Sequence, residues 1–253
     1  MSLDESTKNL LTDIAENIPK VKQQGYDEGR TKEWSDFWDV FQDYGNRTAY
    51  QVAFYRNWNN ETFKPKYDIK PTECSQMFQY SKISGDFREI LKECNVVLDT
   101  SKSAYMQNAF DNCQLITHLP EISFESATLY DTRVNGTFVA CYALQHIDKV
   151  ILPTEKHQPM NNTFQSCKNL THLRIGGVIG NNFNVSWSPL DLDSVKDIIL
   201  HLKDYSTENT GAYTLTLKDE CKARLAPDTD AVEFKGQYYT YLGLITAKGW
   251  NLA

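Results

Sequence analysis

Three segments of the sequence repeat one combination of phenylalanine, cysteine and histidine. In each segment the cysteine follows the phenylalanine by three residues, and the histidine follows the cysteine by five. The copies consist of Phe110, Cys113 and His118; Phe138, Cys141 and His146; and Phe164, Cys167 and His172. Thiols and imidazoles bind metal ions, and a thiol also forms disulfides or acts as a nucleophile beside a histidine. The pattern therefore raises four possibilities: a metal site, a disulfide framework, a catalytic pair and a repeated scaffold position.

The spacing and context of the cysteines favour the scaffold position. None of the six cysteines belongs to a Cys-x-x-Cys pair, the usual spacing of zinc ligands and of redox dithiols. The first 20 residues contain no basic start followed by an apolar core, so we expect no signal peptide, synthesis in the cytoplasm and a reducing environment. A catalytic cysteine–histidine pair occurs once in an active site, whereas this pair recurs. The repeated cysteines are therefore expected to be reduced, buried and unligated.

The composition and the motifs give no support to an enzyme or to a nucleic-acid-binding protein. The 33 acidic residues outnumber the 26 basic ones, so the overall charge offers no reason to bind nucleic acid or an anionic membrane. No apolar run approaches the roughly 20 residues that cross a bilayer. The sequence contains no glycine-rich nucleotide-binding motif, no His-Glu-x-x-His and no Gly-x-Ser-x-Gly. We therefore predict a non-catalytic protein without a cofactor, a metal ion or a membrane span.

The spacing of the three copies predicts the elements that position these residues. The phenylalanines are 28 and 26 residues apart, at positions 110, 138 and 164, and a period of this length is typical of repeat arrays. Apolar residues follow each cysteine three and six positions later, as expected of a short strand. We therefore predict an α/β protein in which residues 70–187 form a solenoid. Each copy would add one strand to a parallel sheet, with the rings and thiols between the layers.

Two weaker copies precede the three clear ones. One surrounds Cys94, with Leu91 in the position of the phenylalanine and Asp99 in the position of the histidine. The other is a degenerate turn around Phe78. On this alignment Asp99 is the carboxylate that would join the row of histidines.

The histidine position predicts a ladder of imidazoles on the outer face of the sheet. Each histidine directly precedes an apolar core residue, so strand alternation turns it away from the core. Neighbouring strands lie ~4.8 Å apart, which allows contact between the rings. The ladder is interpreted as a partly solvated polar row, a metal site or a pH-sensitive group. The predicted binding face comprises the ladder and its neighbours: His118, Gln145, His146, Lys149, Thr171, His172 and Arg174.

Residues 1–60 are expected to form a helical segment that precedes the solenoid. In this segment one helical face is aromatic, with Trp34, Phe37, Trp38 and Phe41. A short helix of this kind depends on packing, because packing supplies most helix stability. The aromatic face either packs within the chain or associates with a second copy, which would give a homo-oligomer through the N-terminal helices.

Residues 188–253 are expected to form an α/β cap on the other end of the array, because an open end would expose core residues. The segment SPLDLDSVKDIILHLKDY predicts a helix, with Ser194 and Asp197 as a capping box. AYTLTL predicts a strand, and YLGLITAKGWNL predicts a helix that ends at Gly249.

The repeated unit resembles a known family. Its pattern is Ala-Phe-x-x-Cys with apolar residues three and six positions after the cysteine, and it looks like the BspA-like bacterial leucine-rich repeats. The segment LDTSKSAYMQNAFDNC, from Leu98 to Cys113, is especially similar. The resemblance covers residues 72–179. It implies a leucine-rich repeat fold that recognises proteins or adheres to surfaces through an extended face, and it carries over no catalytic residue.

The flanking segments also resemble proteins of known origin. FWDVFQDYGNRTAYQVAF, FKPKYDIKP and ITAKGW are similar to proteins encoded in bacteriophages and prophages of gut-type bacteria, where they accompany this repeat. This resemblance implies a structural or recognition component of a phage or prophage particle, at its tail or host-binding surface. The alternative that the repeat family implies is a bacterial cell-surface adhesin. Either protein would bind a protein or a cell-surface glycan, and it would be found on the virion or on the cell surface.

Overall fold

The computed structural model describes residues 54–56, 58–127, 134–153, 159–208 and 210–253. These residues form a mixed α/β fold with ten strands and four helices, and all of them belong to one compact unit. The strands are β1 Gly85–Asp86, β2 Ile116–Leu119, β3 Ile122–Ser123, β4 His146–Ile151, β5 His172–Gly176, β6 Phe183–Asn184, β7 Thr214–Thr216, β8 Ala231–Phe234, β9 Gln237–Thr240 and β10 Asn251–Leu252. The helices are α1 Phe87–Glu93, α2 Leu192–His201, α3 Asp219–Leu225 and α4 Tyr241–Ala247. The predicted aromatic face, Trp34, Phe37, Trp38 and Phe41, lies outside the described residues.

Five strands form the main sheet, and every pairing in it is parallel. β1, β2, β4 and β5 are neighbours in that order. β3 continues the line of β2 along β4, and the break between them falls at Pro120, which has no N–H to donate. The sheet is curled, and β4 carries a bulge between Ile147 and Val150. The predicted parallel sheet is thus confirmed.

A column of stacked phenylalanine rings fills the core behind the sheet. The ring centroids of Phe110 and Phe138 are 5.9 Å apart, and those of Phe138 and Phe164 are 5.4 Å apart. Phe78 and Phe54 extend the column at spacings of 4.9 Å. All five side chains are at most 1% exposed. The predicted stacking of three rings is confirmed, and the column contains two further rings.

The repeated cysteines join each copy to the one before it. The thiols of Cys113, Cys141 and Cys167 donate hydrogen bonds of 3.0 Å to the carbonyl oxygens of Phe78, Phe110 and Phe138, respectively. All three thiols are buried, as predicted. Burial raises the pKa of Cys113 and of Cys167 to about 12, so both stay protonated near neutrality. Cysteine suits this position because it is small and apolar and still carries a donor for the carbonyl oxygen.

Of the two weaker copies predicted before Phe110, the structure supports the one around Phe78 and not the one around Cys94. Cys94 caps the C-terminus of α1 and Leu91 lies inside that helix, so the predicted copy around Cys94 is wrong. The copy that precedes Phe110 is the one around Phe78, in which Ser81 replaces the cysteine and lies 3.5 Å from the thiol of the next copy. The reason is that α1 occupies the interval between Phe78 and Phe110 and lengthens it, which disturbs the period.

α2 covers the open edge of the main sheet, along β5. Asp191 is its N-cap and accepts a hydrogen bond of 2.7 Å from the N–H of Ser194. The side chains of Ser194 and Asp197 accept hydrogen bonds from the N–H groups of Leu173 (3.0 Å) and Ile175 (2.7 Å) on β5. The predicted capping box is therefore wrong, because both side chains serve the backbone of the neighbouring strand. They satisfy donors that an edge strand would otherwise leave unpaired.

The other C-terminal elements lie beyond α2. β6, β7 and β10 form a parallel sheet, and β8 and β9 form an antiparallel hairpin. β7 lies in the predicted AYTLTL strand, and α4 ends before Gly249, whose φ of +82° favours glycine, as predicted. The ammonium of Lys248 donates to the last carbonyl oxygens of α2 and its cap, those of Ile199, Leu200 and Leu202. None of the helices in the described ranges is long and apolar enough to span a membrane.

Candidate functional site

The three repeated histidines lie side by side on the outer face of the main sheet. His118 pairs with His146, and His146 with His172, in the register of β2, β4 and β5. The rings of His146 and His172 stack with centroids 4.0 Å apart and planes at 11°, and those of His118 and His146 are 5.4 Å apart. The residue after each histidine is buried, so strand alternation turns the imidazoles outward. The predicted ladder is confirmed, and these residues are named the histidine ladder below.

Each imidazole of the histidine ladder has one carboxylate beside it. Nδ1 of His118 is 3.9 Å from Asp86, Nε2 of His146 is 3.0 Å from Asp148, and Nδ1 of His172 is 3.5 Å from Asp191. The register of β1 places Asp86 opposite His118, in the position predicted for Asp99. Asp99 instead accepts a hydrogen bond from the N–H of Ser101, so its predicted place in the row is wrong. The three carboxylates come from β1, β4 and the N-cap of α2. Because they do not recur at one position of the repeat, the sequence pattern does not predict them.

Arg88, at the start of α1, links the carboxylates on either side of β2. Its guanidinium bonds to Asp86 at 2.6 Å and to Asp148 at 2.7 Å. Two of its nitrogens engage the two oxygens of Asp86, and this pairing lowers the pKa of that carboxyl. The Arg88 side chain is 33% exposed, so it forms part of the outer face. No sequence motif pointed to this residue.

The other residues of the predicted face lie on β4 and β5 or directly before them. Gln145 and Thr171 precede the two strands and are exposed. The bulge in β4 sets two residues, Asp148 and Lys149, against Arg174 on β5, and the ammonium of Lys149 is 3.9 Å from Glu121. Arg174 makes no ion pair or side-chain hydrogen bond with any residue that the structure describes. The structure therefore brings the predicted residues together on one surface, which we name the ladder face.

The surroundings of His146 disfavour its charged form. Its side chain is 26% exposed, and burial lowers its pKa, with further contributions from His172 and Arg88. The carboxylate of Asp148 acts in the opposite direction. Near neutrality this imidazole is therefore uncharged; its one N–H donates to Asp148, and the other ring nitrogen is an acceptor.

The geometry of the ladder face suits polar recognition. In the part of the chain that the structure describes, no group of three or more histidine, cysteine, aspartate or glutamate side chains is placed to hold a metal ion. Stacked imidazoles direct their nitrogens in parallel, whereas a tetrahedral metal site requires convergent ligands. The repeated thiols are buried in the core, away from the histidine ladder. The face therefore presents rows of donors and acceptors at the ~4.8 Å spacing of strands.

Three comparisons with known proteins were negative. No family model matches the chain, and neither a curated protein nor a solved structure matches it. The function proposed below is inferred from the residues of the ladder face and from the sequence pattern.

Proposed function

We propose that this chain is a non-catalytic recognition protein, a leucine-rich repeat solenoid that forms part of a phage or prophage particle at its tail or host-binding surface. Its partner is a protein or a glycan on the surface of the host cell. The observation that carries the proposal is the ladder face, where equivalent side chains of successive copies lie in register on neighbouring strands. An extended face of this kind is what solenoids present to their partners.

The solenoid is supported by contacts that recur between copies. Successive phenylalanine rings stack, and each repeated thiol donates to the carbonyl oxygen of the preceding ring residue. The backbone N–H groups of Phe78, Phe110 and Phe138 bond to carbonyl oxygens of the following copy at 2.8–3.0 Å. Each copy is therefore held mainly by its neighbours, which is the principle of a repeat array.

The assignment to a particle is supported by the sequence of the flanks. Residues 37–54, 63–71 and 245–250 carry the resemblance to phage and prophage proteins. This assignment is tested by locating the protein. Mass spectrometry of purified particles, induced from a strain that carries the gene, is expected to find the chain at a constant ratio to the tail proteins. Absence from particles together with recovery in the cell-wall fraction would instead support the cell-surface adhesin.

The role of the ladder face is tested with the double variant Lys149→Glu/Arg174→Glu. Labelled protein is incubated with cells of the host strain, and the bound protein is measured by flow cytometry. The variant is expected to bind roughly tenfold less tightly, because reversed charges oppose the partner's own charges. Lys168→Glu is the matched control, since Lys168 is not a residue of the ladder face and lies over the ring of Tyr142. Equal binding by the parent and the double variant, with equal thermal unfolding, would exclude this face.

A further inference from the structure

Two basic side chains of the ladder face, Arg174 and Lys149, are weakly engaged within the chain, whereas four carboxylates around the face accept hydrogen bonds. Its carboxylates are engaged within the chain: Asp86 and Asp148 with Arg88, Asp191 with the N–H of Ser194, and Asp197 with the N–H of Ile175. Arg174, by contrast, has no partner among the described residues, and Lys149 approaches Glu121 only to 3.9 Å. A ligand that completes the hydrogen bonding of this face must therefore supply acceptors.

A carboxylate is the acceptor that best fits Arg174. The planar guanidinium presents paired N–H groups that match the two oxygens of a carboxylate, and such charge-assisted bonds are about twice as strong as neutral ones. Lys149 lies on the adjacent strand, where the bulge sets it and Asp148 against Arg174. Two cations about one strand spacing apart, ~4.8 Å, favour a ligand with several carboxylates over a ligand with one.

We propose that the ladder face binds an acidic peptide segment through Arg174 and Lys149, and that it binds this segment more tightly in mildly acidic solution because the ring of His146, which stacks on His172 in the middle of the ladder, then gains positive charge. The inference rests on the proposed use of this face for recognition. It adds the chemical class of the partner and the regulation of binding by pH.

The charges around the histidine ladder set the direction of this pH dependence. They are Asp86 on β1, Arg88 on α1, Glu121 between β2 and β3, Asp148 and Lys149 on β4, Arg174 on β5 and Asp191 at the N-cap of α2. Farther along α2, Asp197 lies 3.7 Å from His201. The four carboxylates beside the ladder outnumber the three basic side chains by one while His146 is neutral, and protonation of His146 removes this excess of negative charge. An anionic ligand stabilises the protonated imidazole of His146 and so opposes the burial that lowers its pKa.

The test uses a peptide of six glutamates and a matched peptide of six glutamines, both acetylated, amidated and fluorescently labelled. Binding to the full chain is measured by fluorescence polarisation at pH 7.5 and 5.5, at constant ionic strength. Glutamate, with a pKa of about 4.3, stays mainly ionised at both values. The glutamate peptide is expected to bind about three- to tenfold more tightly at pH 5.5, and the glutamine peptide is expected not to bind.

Three variants separate the parts of the proposal. Arg174→Gln is expected to weaken the glutamate peptide roughly tenfold at both pH values, through loss of charge-assisted bonds. In His146→Gln/His172→Gln, the ratio of the affinities at the two pH values is expected to fall to about one. Lys168→Gln removes the same charge from outside the ladder face and is expected to bind like the parent. A similar loss in Lys168→Gln and Arg174→Gln would mean unspecific attraction and would overturn the proposal.

The remaining outcomes distinguish this inference from the proposed function. No binding of the glutamate peptide, or equal binding of the glutamine peptide, overturns the acidic partner. An affinity that depends on Arg174 but not on pH overturns the regulation. If a peptide of six lysines binds instead, the inference fails while recognition by this face stands. Host-cell binding that is unchanged in Lys149→Glu/Arg174→Glu removes the proposed role of the face itself.

Discussion

Phe138 is the middle ring of the three clear copies and has no exposed surface. It stacks on Phe110 and on Phe164, so truncation to alanine removes both contacts and leaves a cavity. We expect Phe138→Ala to lower the free energy of unfolding by about 3–5 kcal/mol in urea denaturation. Tyr142→Ala is the control, because this ring belongs to the same copy but is 42% exposed, and it should cost less than about 1 kcal/mol. A similarly small loss in Phe138→Ala would contradict the ring column.

The rates at which the six cysteines react with a thiol reagent test how well the same core is buried. A polar thiol reagent is expected to label Cys94, which is only partly buried, before the three repeated cysteines. Cys113, Cys141 and Cys167 should react only after addition of denaturant, because burial raises their pKa and excludes the reagent. Peptide mapping by mass spectrometry after short labelling times measures the order. Fast labelling of any of the three in the folded protein would be inconsistent with their position.

The histidine ladder should make stability depend on pH. Burial, His172 and Arg88 lower the folded-state pKa of His146 below its unfolded value of about 6.5. As the pH falls through that unfolded value, the unfolded chain binds more protons than the folded chain, so stability decreases. We therefore expect a lower midpoint of thermal unfolding at pH 5.5 than at pH 7.5.

His146→Gln is expected to reduce this pH effect, because it removes the middle imidazole. Circular dichroism melts of the parent and the variant across pH 5.5–7.5 provide the comparison. If the melting temperatures of the parent and the variant change equally with pH, His146 does not contribute to the pH effect. Stabilisation by zinc of the parent alone would favour the metal interpretation of the histidine ladder.

At the scale of elements, α2 ends the main sheet at β5. Side chains of this helix, rather than a further strand, accept hydrogen bonds from the N–H groups of β5. Ser194→Ala would leave the N–H of Leu173 without its acceptor, in a buried position. We expect a loss of about 1–3 kcal/mol in the free energy of unfolding and faster hydrogen exchange at the amide of Leu173. Asp193→Asn, an exposed change next to it in the first turn, should cost less than about 1 kcal/mol. Unchanged exchange at Leu173 in Ser194→Ala would argue against closure by this side chain.

The helices and strands show which features of the fold can be predicted from the sequence and which cannot. The strands, the ring column and the histidine ladder follow from three copies, because the same residue types recur in phase. Asp86 escapes the pattern since its copy has Ser81 in place of the cysteine and α1 lengthens the following interval. The spacing of Ser194 and Asp197 fits a capping box at the start of a helix. The N–H groups of an edge strand also need acceptors, and here these two side chains supply them. Only the position of β5 decides which N–H groups these side chains reach.

At the scale of the whole molecule, the aromatic stripe predicted for residues 34–41 bears on the association state. An apolar surface of this kind is rarely left exposed, and a second copy is one way to cover it. Light scattering coupled to size-exclusion chromatography distinguishes the two alternatives: a parent heavier than a monomer, with Phe37→Asp/Phe41→Asp monomeric, would mean association through the stripe. A monomeric parent whose melting temperature drops in the variant would mean that the stripe packs within the chain.

The closure of the main sheet by α2 has a consequence for the evolution of this gene. Neighbouring copies meet through the same ring, thiol and strand contacts, whereas α2 is fitted to β5. Tandem duplication of the codons for residues 138–163 would insert a repeat unit whose two contact surfaces match those of the neighbouring units. The contacts between α2 and β5 would not change. Unequal recombination inside the coding region would therefore add or remove whole repeat units. The length of the array would change, while both termini of the protein would stay the same.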